Sequence, residues 1–179
     1  MATPHTSPST PSSGWDLGIR LGHWSMATLF LLNYWWLEEG EDLHEWAGYA
    51  LFAILVIRLI RGFIGPENAR FRDFFPTPKR LLNNLRNFKA EQLSHQENSH
   101  HSAIGGLMVL FLLITMTITA VSGWMQELDA FWGEDWVQNL HAWSADAVMI
   151  AVVVHVFAVL IIQSRYKVPL IKGMLRQIK

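Results

Sequence analysis

The chain has no cysteine among its 179 residues. That absence excludes disulfides, thiolate-held metals, iron–sulfur clusters and thioether attachment of a haem. Charge is scarce as well, 16% of the residues against 51% hydrophobic. Together with a positive mean hydropathy, this points to a single membrane domain whose loops hold most of the charge. A cleavable leader is also missing from the expected pattern. Residues 1–13 are rich in Pro, Ser and Thr, contain His5, and lack a basic start followed by a small-residue cleavage site. They read as a disordered tail.

What is present is four long apolar stretches, at about residues 17–37, 43–65, 101–125 and 139–163. Each is long enough to cross a hydrocarbon core about 30 Å thick. The pattern predicts an all-α integral membrane four-helix bundle occupying residues 14–179. Between the second and third stretches, residues 67–99 are polar. Within them, residues 78–88 place Leu81, Leu85 and Phe88 on one helical face, as expected of a short helix on the membrane surface. The tail beyond Ser164 is basic and amphipathic, with Ile171, Met174, Leu175 and Ile178 on one side. It is expected to lie on the surface too. In the third stretch His101, Gly105, Met108, Leu112, Thr115, Thr119 and Ser122 form one stripe, suited to close packing of helices or of a flat cofactor.

The charges sort by side. All 14 Lys and Arg residues fall at Arg20, from Arg58 to Lys89, or from Arg165 onward. With four crossings these share one face, which the positive-inside rule makes cytoplasmic, with both termini inside. The opposite face carries nine acids, in residues 38–45 and 127–135, and no base. Seven of the nine tryptophans cluster at that boundary, where amphipathic rings are favoured. The expected setting is bacterial inner-membrane lipid, not nucleic acid.

Four histidines fall within the apolar stretches. His44 opens the second and His141 opens the fourth, near the outer boundary, whereas His23 and His155 lie toward the cytoplasmic side. His141 and His155 are fourteen residues apart. That is a rise of about 21 Å and a return to within about 40° of the same face. The histidines therefore form two pairs at two depths, each pair drawn from two helices. Facing imidazoles suit a six-coordinate haem iron, the porphyrin supplying the other four positions. Small residues suit the space beside a flat macrocycle. Ala27, Gly48 and Ala145 each follow a histidine by four positions, and Ala151 precedes His155 by four. A single membrane histidine often serves only as a hydrogen-bonding residue between helices. Four that pair by depth, two of them in register on one helix, are harder to explain in that way. A zinc or copper site fits less well, since two imidazoles leave such a metal under-coordinated.

Several motifs resemble the bacterial cytochrome b561 and nickel–iron hydrogenase cytochrome b family, from about Trp15 to the C-terminus. They are RLGHW at residues 20–24, HEWAGY at 44–49, RLIRGFIGPENARF at 58–71, HSAIGGLMVLFLL at 101–113, and the His141–His155 pair. Where the family often has His-Asn-Pro-Leu-Gly, this chain has His-Ser-Ala-Ile-Gly from His101. The resemblance implies two haem b groups held by His23 with His155 and by His44 with His141. It also implies respiratory electron transfer between a periplasmic c-type cytochrome, dehydrogenase or hydrogenase and the quinone pool. Arg58 has two readings, a partner for a haem propionate or a snorkelling cation. Arg20 and Arg61 read as topology anchors, and His95 and His100 as loop residues. His101 reads as a capping or interfacial residue, or as one near a propionate or quinone. Asp146 is an intramembrane acid without an assigned role.

Two other functions fit parts of the pattern. One is a superoxide oxidase reducing ubiquinone at such haems, which the acidic outer face disfavours. The other is a haem-free transporter or helix-bundle module, which would make the histidine register a coincidence.

Overall fold

The computed structural model describes residues 16–65, 103–167 and 169–175, with positions 70, 71, 75, 77, 79 and 82 between. The expected disordered tail, most of the 78–88 surface helix, and His5, His95, His100 and His101 lie outside the described residues. The described residues form helices and no strand: α1 (Leu17–Trp35), α2 (Asp42–Ile64), α3 (Ala103–Gln126), α4 (Asp135–Tyr166) and a short α5 (Leu170–Leu175). The architecture is the expected all-helical four-helix bundle. α3 packs along α4, α2 along α3, and α1 along α2, while α5 folds back beside the end of α4.

Among the described residues, α2, α3 and α4 are long and apolar enough to cross a membrane. α1, the first of the four expected spans, is not among them. Its 19 residues include Arg20, His23, Ser25 and Asn33, which dilute its apolar character while it packs on α2.

α4 is longer than its apolar run implies. It covers 32 residues, about 48 Å at 1.5 Å each, against a hydrocarbon core of about 30 Å. Gly133, at φ 77°, makes the turn that precedes it, and Asp135 occupies its first turn. An acid there is favoured by the helix dipole, so the helix begins in polar residues that hydropathy alone assigns to a loop. His141 thus lies well inside the helix and does not open it. At the other end Lys167 takes a left-handed conformation, φ 54°, which stops α4 before Pro169.

The buried core is a layer across the middle of the bundle. Phe30 comes from α1, Leu51 and Leu55 from α2, Leu113 and Met116 from α3, and Val148 and Met149 from α4. Phe30 is seven residues beyond His23, Leu51 is seven beyond His44, and Val148 is midway between His141 and His155. Seven residues are close to two helical turns, so the packed apolar layer separates the two histidine levels.

The inner end is tied together by polar contacts. Arg61 pairs with Asp16 ahead of α1, and its guanidinium carbon lies 3.0 Å from where a Cβ on Gly18 would stand. A Cβ there would be tight against the guanidinium, and the long Arg61 side chain would have to give by a few tenths of an ångström. Arg20 Nε and Trp24 Nε1 each donate to the Met174 carbonyl at 3.2 Å, and Arg20 Nη2 donates to Leu175 O. A cation and an indole N–H thus satisfy carbonyls at the end of α5 that have no partner within the helix. Arg20 and Arg61 therefore serve as inter-element ties at the basic end.

Candidate functional site

The bundle brings the four membrane histidines together as two pairs. The His44 and His141 ring centres are 6.3 Å apart with their planes inclined at 66°. The His23 and His155 ring centres are also 6.3 Å apart, at 60°. A ligating imidazole nitrogen lies about 2 Å from a first-row metal and about 1.1 Å from its own ring centre, so two such rings on opposite sides of one ion stand about 6.2 Å apart. Direct contact between imidazoles would not require that gap. Both separations suit one ion between the rings, and neither offers a third or fourth ligand. Among the described residues no group of three or more His, Cys, Asp or Glu side chains is arranged to hold a metal. An ion at either position would need a ligand that brings its own equatorial donors.

At the outer pair there is space for such a ligand. A cavity of about 680 Å³ is bounded by all four long helices and contains both His44 and His141 in its wall. Small-molecule and cofactor sites occupy about 300–1,000 Å³. Gly48 lines it, and a Cβ added at Gly48 would meet nothing within 4 Å. Ala120, Ala142 and Ala145 add further small wall residues. His44 contributes an orphan group, because its Nδ1 is buried without a hydrogen-bond partner. A haem, with two axial positions open to imidazole, fits this donor set and this space.

The environment of His141 selects its tautomer. Its Nδ1 lies 2.9 Å from the Thr119 carbonyl on α3, an acceptor, so Nδ1 carries the proton and donates. Nε2 is left with a lone pair for a metal. Close approach of α3 makes this possible. The Thr119 and Ser144 hydroxyls are 2.8 Å apart, and Ser122 is 1% and Ser144 8% exposed. Gly123 completes the contact, since a Cβ there would stand 2.9 Å from His141 Cε1 and 3.2 Å from Nδ1. Sequence reasoning placed Thr119 and Ser122 on the third-helix stripe but missed the Thr119 carbonyl and Gly123 as the seat of the ring. The available signal was the small residue four positions beyond Thr119.

Gly123→Ala is accordingly expected to displace the His141 ring and weaken retention of the group between His44 and His141 by about 10- to 100-fold, the usual cost of disturbing a residue that orients a ligand. Titration of the apoprotein with haem, followed by absorbance, measures this.

At the inner pair, the His23 ring packs against Trp24 with centres 5.5 Å apart. A Cβ on neighbouring Gly22 would meet nothing within 4 Å, and Ala151, one turn before His155, is 5% exposed. Arg58 sits on α2 near this end, half-buried, its guanidinium carbon 5.5 Å from the centre of the Phe71 ring. It does not line the outer cavity. Asp146 does, and accepts a 2.7 Å hydrogen bond from the Tyr34 hydroxyl.

Comparison with characterised proteins and with solved structures returns no significant match. Residues 14–177, nearly the whole chain, match the prokaryotic cytochrome b561 family. With that match added to the helical bundle and its paired histidines, the chain belongs to the prokaryotic cytochrome b561 family, bacterial membrane proteins that bind haem b and transfer electrons.

Proposed function

We propose that the chain holds two haem b groups and conducts electrons across the bacterial inner membrane, between a periplasmic redox protein and the quinone pool. In this reading His44 and His141 would hold the outer haem, and His23 and His155 the inner one. The observation that carries it is the repeated ring separation of 6.3 Å at two levels of one bundle. A haem-free transporter would have no need for that repetition.

Each haem supplies one-electron redox chemistry. The protein's part is to ligate, to orient and to keep water away. Thr119 fixes the His141 tautomer, while Gly48 leaves open space beside His44 and Gly123 leaves room for the His141 ring. The midplane layer from Phe30 to Met149 separates the two levels by about 21 Å along the axis, judged from the fourteen residues between His141 and His155. Arg58, near the inner end, carries a charge suited to an inner propionate. The four long helices cross the membrane as one domain, with the basic end and both termini cytoplasmic.

The outer mouth favours a cationic protein as partner. Glu38, Glu39, Glu45 and Glu127 line the cavity, and among the described residues no Lys or Arg does. Such a face attracts a basic c-type cytochrome or a basic patch on a dehydrogenase or hydrogenase. It repels a small anion such as superoxide. An absorbance spectrum of the reduced protein, with chemical determination of haem, tests the reading. Two b-type haems per chain are expected, and a colourless folded protein would sink it. In liposomes containing a quinone, oxidation of an external reduced c-type cytochrome should slow steeply as salt rises from about 20 to about 200 mM, because ions screen the docking charges. A rate indifferent to salt would remove the acidic face from the docking step.

A further inference from the structure

Electron transfer leaves the basic, amphipathic end of the chain without a task, and that end forms a groove. α4 stops at Lys167, whose left-handed conformation turns the chain, and α5 folds back beside it. Between them lies a groove of about 470 Å³ lined by Gln163, Lys167, Pro169, Ile171, Lys172 and Leu175. Both lysines are exposed there. Among the described residues neither has an acidic partner, and no Asp or Glu lines the groove. Its walls are held in place. Gln163 Oε1 accepts the Ile171 N–H at 3.1 Å, while Arg20 and Trp24 of α1 tether the Met174 and Leu175 carbonyls.

The groove continues into an apolar ridge. Val153, Val156 and Leu160 precede Gln163 at three- and four-residue steps, so they share its side of α4, and all three are exposed. The ridge runs about 15 Å from the groove along a helix apolar and long enough to cross the membrane. Two cations at the head of a hydrocarbon-facing track match an amphiphile with an anionic head. We infer that the groove binds one anionic glycerophospholipid, its phosphate between Lys167 and Lys172 and an acyl chain along Val153, Val156 and Leu160. Basic pockets at the ends of membrane helices attract such headgroups. A zwitterionic lipid is disfavoured, because its own cation meets the two lysines. Free phosphate would satisfy the lysines but leave the ridge, Ile171 and Leu175 uncovered. Gln163 closes the groove without adding charge. The inference rests on α4 crossing the membrane and is independent of the haem reading.

The experiment places the full chain in nanodiscs of phosphatidylcholine and phosphatidylglycerol in varied proportion. Lipid still bound after transfer to detergent is then counted by native mass spectrometry. One phosphatidylglycerol per chain is expected, retained in preference to phosphatidylcholine. A lysine beside an anionic headgroup is worth about fivefold in affinity, so Lys167→Gln combined with Lys172→Gln should weaken retention by about 25-fold. Gln163→Glu keeps the acceptor for Ile171 N–H but sets a negative charge in the groove, and should weaken retention by at least about fivefold. Lys79→Gln removes an exposed charge elsewhere and should change nothing. Excess inorganic phosphate should not displace the lipid. Equal retention of the two lipids overturns the proposal, as does full retention in the double lysine variant or in Gln163→Glu. Equal loss from Lys79→Gln would reduce the effect to general surface charge, and displacement by phosphate would remove the lipid as the ligand; either outcome also overturns it. If the double lysine variant fails to fold, Gln163→Glu decides the matter.

Discussion

His141→Ala is expected to yield a protein that retains one b-type haem, the inner one, and lacks the outer. His155→Ala should do the reverse. The prediction follows from geometry that separates the two pairs. His141 faces His44 across a ring-centre distance of 6.3 Å, and His155 faces His23 across the same distance. Between the levels lies a packed layer in which Leu55 and Val148 are fully buried. That layer holds the helices together whichever haem is missing. Disturbing a group that merely orients a ligand costs about 10- to 100-fold in affinity, so removing a ligand should cost more than about 100-fold. The check is haem stoichiometry together with potentiometry, where one of two components should disappear. Selective loss in the opposite sense would overturn the pairing. Loss of both haems from either variant, with helicity retained, would contradict the independence of the two levels.

Gly48→Phe should empty the outer site while leaving His44 and His141 in place. Gly48 is one turn beyond His44 on α2 and lines the outer cavity, with open space where its Cβ would project. A phenyl ring, a group of about 150–250 Å², would fill the volume that a macrocycle requires. Overpacking costs about 1–3 kcal/mol, or roughly 5- to 150-fold, and a rigid flat ligand offers little means of relaxing. The upper part of that range is expected for outer haem retention, with the inner haem unaffected. The apoprotein should fold at least as well as the wild type, because the ring enters empty space and a helical glycine is replaced, worth about 0.5–1 kcal/mol in backbone entropy. Measuring haem content and thermal unfolding of apo and loaded protein in parallel separates the effects. Normal occupancy of the outer site in Gly48→Phe would show that no flat group passes over Gly48.

The third-helix contacts show where sequence reading stops. That His44 belongs with His141 and His23 with His155 was legible as depth, since hydropathy sets the ends of each stretch and 1.5 Å per residue sets the level of each ring. The distance between the rings was not legible, because it depends on how far apart α2 and α4 stand. The role of Gly123 was equally hidden. It is a glycine in an apolar helix until α4 lies against it with an imidazole 2.9 Å from the missing Cβ. Likewise Asp146 read only as an acid at an awkward depth. Its partner Tyr34 is 112 residues away in sequence, and no periodicity within one helix points to a residue on another.

By itself, then, the sequence determined the properties that are additive along the chain. These are the helical class, the apolar stretches, the segregation of bases from acids, and the absence of every thiol chemistry. They follow from local hydropathy and composition, which need no knowledge of neighbours. Only the tertiary structure decided the start of α4 at Asp135, the 6.3 Å between paired imidazoles, the proton position on His141 and the clasp between Tyr34 and Asp146. Each depends on the separation and rotation of two helices, set by the sum of many small contacts across the bundle. Helix separation is a property of the packed pair, and no single helix encodes it.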